Sequence, residues 1–485
     1  MMTTVYKRAV RAAARFPLRF RGDTSGNVAI VFALVGVVLM LAIGAAVDVG
    51  RWLHARDQTV AAVDAAVLAG GRALQTNGAN ESAAIAAAQK YYAENVTSRL
   101  PVIDDSINFA VAADGMGMTA NGTAYIKTPF LQFAAIDKLP LVSTSQTDFG
   151  KSQIAVGGDG GENIEVALML DITGSMCNNP PNQTQPACSS GRKIDAMKDA
   201  AKDLVNIIVW QDQSKFTSKV SIVPFSDSVR LPTSAITKAM GNPAKSLTKT
   251  TGSGSNKKTY YYNRTEYCVV ERAGTNRYTD VAPGANNYSM PIRWEVPANK
   301  KSNYADCTLD AASEVLPLTD QKQKLIDKID ALTGKGGTAG QVGTAWAWYT
   351  LSPNWKSLWA SASQPVAYLT PNTRKIAILM TDGEYNTDYT SEGIKTGSSG
   401  ASTTPANGTS AAQAKALCAA MKDKTKVGIE IYTVGFEVGN NASAADVLSS
   451  CASEPGKYYD AKDEEELQQA FRDIALKLSS LYLSK

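Results

Sequence analysis

Ile164-Glu-Val-Ala-Leu-Met-Leu-Asp171-Ile-Thr173-Gly-Ser175-Met176 is the stretch of sequence that decides the fold. Its apolar first half predicts a buried strand, and the strand ends abruptly in side chains that carry oxygen. Asp171, Thr173 and Ser175 form the pattern D-x-T-x-S. Open α/β sheets bind their ligands at the carboxyl ends of their strands. We therefore expect one carboxylate and two hydroxyls on a loop at that edge of a sheet.

Two later segments carry side chains of the same kind. Gly336-Gly-Thr338 places a third hydroxyl just before a predicted helix, and Ile378-Leu-Met-Thr-Asp382-Gly places a second carboxylate after another apolar run. Hard divalent cations prefer oxygen ligands, and two carboxylates balance the charge of a 2+ ion. The sequence therefore predicts a Mg²⁺ site, with Mn²⁺ or Ca²⁺ as alternatives, formed by Asp171, Thr173, Ser175, Thr338 and Asp382. An acidic group on a partner could complete the coordination.

Each of these segments also has a plainer interpretation. Asp and Ser after a strand are commonly turn or helix-cap residues, and Gly-Gly-Thr before a helix is often only a helix start. The three segments together, in this order, favour the metal site. A phosphate-binding loop is excluded, because Lys335 is followed by Gly336 and not by Ser or Thr.

The order D-x-T-x-S, then G-G-T, then a strand ending in T-D-G resembles the von Willebrand factor A domain and its metal-ion-dependent adhesion site. The resemblance covers residues 161–485 and implies an α/β fold with a doubly wound, mostly parallel sheet. It also implies that Ser175 and Thr338 bind the metal through their hydroxyls, and that Asp171 and Asp382 bind it directly or through water. Thr173 stands where serine is commoner, and it keeps the hydroxyl.

The composition limits the possible functions. The chain has 485 residues, enough for more than one domain, and its net charge of +4 at pH 7 gives no argument for nucleic acid. His54 is its only histidine. A Ser-His or Cys-His pair in the folded domain is therefore excluded, as is a histidine-based zinc site. We expect a binding protein with no catalytic residues and no nucleic-acid partner.

The N-terminal region predicts a membrane anchor. Residues 28–47 contain no charged side chain, and about 20 such residues are enough to span a bilayer. Basic residues dominate the preceding segment, which by the positive-inside rule stays in the cytoplasm while the rest of the chain is exported. A cleaved signal peptide is the alternative, with a possible cut site at Gly44-Ala-Ala46.

The cysteines agree with export. All six follow the apolar segment, and an even number in an exported domain favours disulfides. Fifteen pairings are formally possible, and buried free thiols are the alternative. Proximity along the chain favours three pairs, Cys177 with Cys188, Cys268 with Cys307, and Cys418 with Cys451.

These features divide the chain into four predicted segments. Residues 1–22 form a cytoplasmic basic segment and residues 23–50 the transmembrane helix. Residues 51–160 predict Ala-rich helices, then short strands in a small α+β segment that ends in a glycine joint. Residues 161–485 form the large domain. Within it, residues 231–316 are too long for an ordinary connection and predict an inserted subdomain, with a plain solvated insertion as the alternative.

The N-terminal region carries a second resemblance. Arg21-Gly-Asp-Thr-Ser-Gly26-Asn-Val-Ala-Ile-Val31-Phe, followed by Val47-Asp48-Val-Gly50 and an Ala-rich stretch, is similar to the TadE- and TadG-type proteins of the bacterial tight-adherence (Flp) pilus system. With the metal-site domain behind it, the whole chain resembles the TadG type. Pseudopilins of the TadE type have a glutamate before the phenylalanine for cleavage by a prepilin peptidase. This chain has Val31 there, which puts such processing in doubt.

Taken together, these interpretations predict a single-pass inner-membrane protein with periplasmic C-terminal domains. The resemblance implies a role in pilus assembly or adhesion, with a pilus or envelope component as the partner that supplies the acidic group. One alternative is a metal-dependent hydrolase or phosphatase with Asp171 as nucleophile. Its weakness is that dehalogenase-type phosphatases need an aspartate where this chain has Thr173. The other alternative is a structural pilus or envelope component with a vestigial metal site.

Overall fold

The computed structural model of the chain describes residues 27–76, 81–112, 117–142, 150–154, 162–177, 187–210, 213–214, 216–300, 302–439, 441–478 and 481–483. The predicted basic segment 1–22 and the glycine joint at 157–161 lie outside these residues. The chain divides into two units, residues 1–153 with 481–485, and residues 154–480.

The first unit contains two helices and a small sheet. Helix α1 spans Asn27–Thr76 and α2 spans Glu81–Asn95. The strands are β1 Ile103–Val111, β2 Gly117–Lys127, β3 Lys138–Pro140, β4 Gly150–Ile154 and the C-terminal β15 Leu481–Leu483. Their order is β1-β2-β4-β15, with β3 also paired to β2. The apolar segment and the Ala-rich stretch after it thus form one continuous helix.

The second half of α1 carries the core of this unit. A Cβ at Gly70 would lie 2.9 Å from Met118 and 3.0 Å from Ala88, so glycine lets α2 and β2 approach the helix closely. The N-terminal half of α1 is different, because its apolar side chains are mostly exposed. It is long and apolar enough to cross a membrane.

The second unit is built on a six-stranded sheet of order β11-β6-β5-β12-β13-β14. The strands are β5 Asn163–Asp171, β6 Ser218–Phe225, β11 Leu316–Thr319, β12 Thr373–Thr381, β13 Glu430–Phe436 and β14 Tyr458–Ala461. All neighbouring strands are parallel except the edge pair β11 and β6. The predicted α/β fold with a mostly parallel sheet is confirmed. Central strands β5 and β12 are buried almost throughout, as both faces of a parallel sheet are covered.

Helices cover this sheet. They are α3 Arg192–Ile208, α5 Lys322–Asp330, α6 Gly340–Leu351, α7 Ser410–Met421, α8 Ala442–Cys451 and α9 Glu464–Leu478. Every residue of α6 is buried. A Cβ at Gly343 would lie 2.7 Å from the ring of Phe225, so glycine allows α6 to lie directly on β6.

The long connection after β6 forms a second sheet. It contains β7 Val229–Arg230, α4 Thr233–Met240, β8 Ser246–Thr251, β9 Lys258–Arg272 and β10 Ser289–Val296. The strand order is β10-β9-β7, and β8 also pairs with β9. Val269 and Ile292 of this sheet belong to the same buried cluster as the main sheet.

Candidate metal centre

Asp171 lies at the carboxyl end of β5, between β6 and β12 in the middle of the sheet. Its side chain is fully buried. Oδ1 accepts a hydrogen bond from the backbone N–H of Thr173 at 2.8 Å, and Oδ2 accepts one from the Thr381 hydroxyl at 2.6 Å. The backbone N–H of Asp382 also donates to Oδ2, at 3.4 Å. The carboxylate is therefore fixed between the ends of two neighbouring strands.

The two hydroxyls of the D-x-T-x-S loop lie next to each other and reach Asp382. Thr173 Oγ1 lies 2.8 Å from Ser175 Oγ, and the Ser175 hydroxyl donates to Asp382 Oδ1 at 2.6 Å. The loop continues into a short 3₁₀ turn at Gly174–Cys177. Four of the five predicted ligands, Asp171, Thr173, Ser175 and Asp382, thus belong to one hydrogen-bonded group.

The Gly-Gly-Thr segment is held against this group by its backbone. The N–H of Gly174 donates to the Gly336 carbonyl at 2.9 Å. The Thr338 carbonyl accepts from the N–H groups of Asn386 and Thr387, in the loop that follows Asp382, at 3.0 and 3.1 Å. Thr338 is 6% exposed. The structure therefore joins the loops that carry all five predicted residues.

Gly336 has a physical reason to be glycine. Its φ is +92°, which disfavours other residues, and an added Cβ would lie 3.1 Å from Asp227 Oδ2. At Gly337 a Cβ would lie 2.9 Å from the Thr387 hydroxyl. Both glycines let the segment pass close to neighbouring loops on its way to Thr338.

A disulfide supports the same loops. The cysteines form three disulfides, Cys177–Cys188, Cys268–Cys307 and Cys418–Cys451, as the predicted pairing has them. The first begins at Cys177, two residues after Ser175. Cys188 exchanges backbone hydrogen bonds with Gly334, at 3.0 and 2.7 Å, and a Cβ on Gly334 would lie 2.6 Å from Cys177 Sγ. The disulfide therefore packs on the segment that leads to Thr338.

The electrostatics of the group are dominated by its two carboxylates. Burial, and then the nearby charge of Asp382, raise the pKa of Asp171 to about 7, although the hydrogen bonds from Thr381 and Thr173 act in the opposite direction. Two buried carboxylates that raise each other's energy in this way favour a cation between or beside them.

Lys193 is the residue of this region that the sequence did not reveal. It lies at the start of α3, and its ammonium is 3.0 Å from Asp382 Oδ2 and 3.6 Å from Glu437 Oε2. Its side chain is only 12% exposed. In the sequence Lys193 is 189 residues from Asp382 and is only one of several basic residues on an amphipathic helix. Chain folding alone brings the two together.

The donor set fits a hard divalent cation. Two carboxylates and three hydroxyls are oxygen ligands of the kind that Mg²⁺, Mn²⁺ and Ca²⁺ accept. Over the part of the chain that the structure describes, no group of three or more His, Cys, Asp and Glu side chains could hold a metal.

Comparison with known families supports both resemblances. The second unit contains a von Willebrand factor type A domain, whose family model matches residues 304–473. This range includes Thr338 and Asp382, while Asp171, Thr173 and Ser175 precede it. Residues 26–73 match the family described as putative Flp pilus-assembly TadE/G-like. The chain therefore joins a TadE/G-like N-terminal segment to a von Willebrand factor A domain, which confirms the predicted TadG-like organisation.

Several solved structures are similar to the chain at low identity. The von Willebrand factor domain of the type V pili tip protein Mfa5 from Porphyromonas gingivalis is 12% identical, with 65% of this chain and 94% of that chain covered and a TM-score of 0.35. The adhesive tip pilin GBS104 of Streptococcus agalactiae is 11% identical, with 64% and 99% covered and a TM-score of 0.34. Proximal thread matrix protein 1 of the mussel byssus, with a zinc-occupied MIDAS motif, is 14% identical, with 69% and 50% covered and a TM-score of 0.31. No curated protein matches the chain.

Proposed function

We propose that this chain is a membrane-anchored, non-enzymatic binding protein of a tight-adherence pilus, which binds a pilus or envelope protein through a divalent cation. The observation that carries the proposal is the position of Asp171 and Asp382. Asp171 ends β5, Asp382 directly follows the parallel strand β12, and the Ser175 hydroxyl from the Asp171 loop donates to Asp382 at 2.6 Å. Asp171, Thr173, Ser175, Thr338 and Asp382 would hold the cation.

The chemistry of the proposed site follows from its charges. A divalent cation would supply a positive centre that balances the two carboxylates and accepts a further oxygen ligand from the partner. Asp171 stays in place because backbone and hydroxyl donors fix both of its oxygens. Ser175 and Thr173 add neutral oxygens, so the site keeps capacity for a negative ligand. An Asp, Glu or terminal carboxylate of the partner protein has the required charge.

The geometry disfavours catalysis by Asp171. A nucleophile must reach its substrate, and this side chain has no exposed surface. The residue two positions later is Thr173, whose hydroxyl lies next to Ser175 and which cannot act as a carboxylic acid. A binding role therefore accounts for the buried carboxylate better than hydrolysis does.

The N-terminal helix supports the second part of the proposal. The TadE/G-like match and the exposed apolar half of α1 both favour anchoring in a membrane through residues 28–47. We place the N-terminus in the cytoplasm and the von Willebrand factor A domain in the periplasm, because basic residues precede the apolar segment.

The proposal is tested with the full-length protein in lipid nanodiscs after treatment with EDTA. Titration with Mg²⁺, Mn²⁺ and Ca²⁺, followed by calorimetry, should show one binding event that Asp382→Asn abolishes or weakens strongly. Glu384→Gln is the matched control, because Glu384 is exposed in the same loop and its loss removes the same charge. No binding by the parent, or equal losses in both variants, would refute the cation site.

The partner is tested in cells. In-cell crosslinking of the parent should recover a pilus or envelope protein, and chelator or Asp382→Asn should remove it while membrane abundance stays unchanged. Recovery of the same partner in chelator would refute the metal bridge and leave a structural component with a vestigial site as the explanation.

A further inference from the structure

The loop between β2 and β3, residues 129–136, exposes large apolar side chains. Phe133 is 77% exposed, Phe130 is 44% exposed and Ile136 is 42% exposed. Such a cluster on one short loop is costly in water and usually marks a contact surface. The loop includes a 3₁₀ turn at Leu131–Ala134, which holds these side chains together.

The loop is attached to α1 at a defined position along the helix. Oδ2 of Asp48 accepts hydrogen bonds from the backbone N–H groups of Phe130 and Leu131, each at 2.8 Å. The ring of Phe130 lies against Gly44, where an added Cβ would be 2.6 Å from it. The loop therefore lies beside the helix between Gly44 and Asp48.

This part of α1 is the C-terminal end of the apolar segment. Asp48 is the first charged residue after residues 28–47. At about 1.5 Å per residue, Gly44 lies roughly 6 Å further into the apolar segment than Asp48. Side chains that contact Gly44 are thus at the depth where interfacial apolar groups enter a bilayer, about 5–10 Å below its surface.

We propose that residues 129–136 form a second membrane contact, a loop that inserts Phe130, Phe133 and Ile136 into the lipid layer around α1. The inference rests on the proposed anchoring of α1. Its ligand is the boundary between lipid headgroups and acyl chains, on the side of the membrane that faces the C-terminal part of the chain.

Two neighbouring features fit this interface. Trp52 lies one turn beyond Asp48, and its indole N–H donates to the Pro140 carbonyl at 2.7 Å. Tryptophan is enriched at the level of the headgroups. Arg51 lies 3.7 Å from Asp48, from Nη1 to Oδ1, and the exposed Lys127 precedes the loop by two residues, so basic groups stand where anionic lipid headgroups would lie. The loop would also fix the depth and rotation of α1, because Asp48 binds it directly.

The test uses nitroxide labels on the full-length protein in nanodiscs of phosphatidylcholine and phosphatidylglycerol. The six native cysteines are all in disulfides, so a thiol reagent labels only introduced cysteines. Phe133→Cys reports the loop, Val38→Cys reports the anchor, and Glu81→Cys is the aqueous control, since it begins α2 next to the far end of α1. Ile136→Cys replaces Phe133→Cys should that variant fold poorly.

The measured quantity is the accessibility of each label to oxygen and to a water-soluble nickel chelate. The labels at 38 and 133 should both be more accessible to oxygen than to the nickel chelate, and the label at 81 should be more accessible to the nickel chelate. A lipid-exposed label at 38 with a nickel-accessible label at 133 overturns the loop contact while the anchor stands. A label at 133 shielded from both reagents indicates a protein contact and also overturns it. A nickel-accessible label at 38 overturns anchoring and loop insertion together.

Discussion

Lys193→Met should strengthen divalent-cation binding, because Lys193 competes for a proposed ligand. Its ammonium lies 3.0 Å from Asp382 Oδ2 in a setting where the side chain is only 12% exposed. A cation that takes Asp382 as a ligand must displace this ammonium or bind against its repulsion. Methionine keeps the apolar length of the side chain and removes the charge.

The size of the effect follows from the contact that is lost. A hydrogen bond between charged groups contributes about 1.5–3 kcal/mol when it is shielded from water. Since about 1.4 kcal/mol corresponds to a tenfold change in Kd, the Kd for Mg²⁺ should fall about ten- to hundredfold. The metal-free variant should be less stable than the parent, because Asp382 and Asp171 then repel each other without a nearby positive charge.

The assay is calorimetric titration of EDTA-treated full-length protein with Mg²⁺, together with thermal unfolding with and without the ion. Arg192→Met is the matched control. Arg192 precedes Lys193 on the same helix and pairs with Glu437, at 2.8 Å from Nη2 to Oε2, and with Glu464. Its loss changes the net charge equally but leaves the ammonium on Asp382. An unchanged or higher Kd in Lys193→Met, or an equal gain in both variants, would contradict the reasoning.

Three further predictions concern the supports of the site. Replacing Cys177 and Cys188 together by serine should lower the free energy of unfolding by about 2–3 kcal/mol and weaken Mg²⁺ binding, which denaturant titration and calorimetry would show. Gly336→Ala should cost about 1–3 kcal/mol, because φ is +92° there, and it should also raise the Kd for Mg²⁺; a variant as stable as the parent would be evidence against the strain. Burial raises the pKa of Glu271 to about 7 from the ordinary 4.5, so the folded protein should lose up to roughly 3 kcal/mol as pH rises from about 4.5 to 7. Denaturation at pH 5 and pH 8 should show less of this loss in Glu271→Gln than in the parent or in Glu266→Gln, an exposed control on the same strand.

Much of the main sheet could be predicted from the sequence, because buried parallel strands have a strong pattern. β5 and β12 are apolar runs that end in polar residues, and each is buried almost from end to end. Helix α3 could be predicted on similar grounds, since Ile194, Met197 and Leu204 recur at helical spacing, and all three are buried. The pairing of Leu481–Leu483 with β4 was not predictable, because nothing local joins a three-residue strand to residues more than 300 positions earlier.

In the candidate site, too, some residues could be predicted from the sequence and others could not. Asp171, Thr173 and Ser175 are close in sequence, and Asp382 ends a strand, so one rule about strand ends placed them together. Lys193 was missed because its contact with Asp382 depends on how α3 crosses the sheet. The order of the strands decides such contacts, and side-chain periodicity carries no information about it.

The long connection after β6 is linked to the site through buried polar contacts. Glu271, on β9 of the second sheet, accepts a hydrogen bond from Gln341 at 2.8 Å, and Gln341 belongs to helix α6, which begins two residues after Thr338. Nearer the metal loops, Asp227 accepts a hydrogen bond from the Thr308 hydroxyl at 2.9 Å and lies against the backbone of Gly336. Because side chains of the connection contact the start of α6 and the glycine segment directly, it supports the chain on both sides of Thr338.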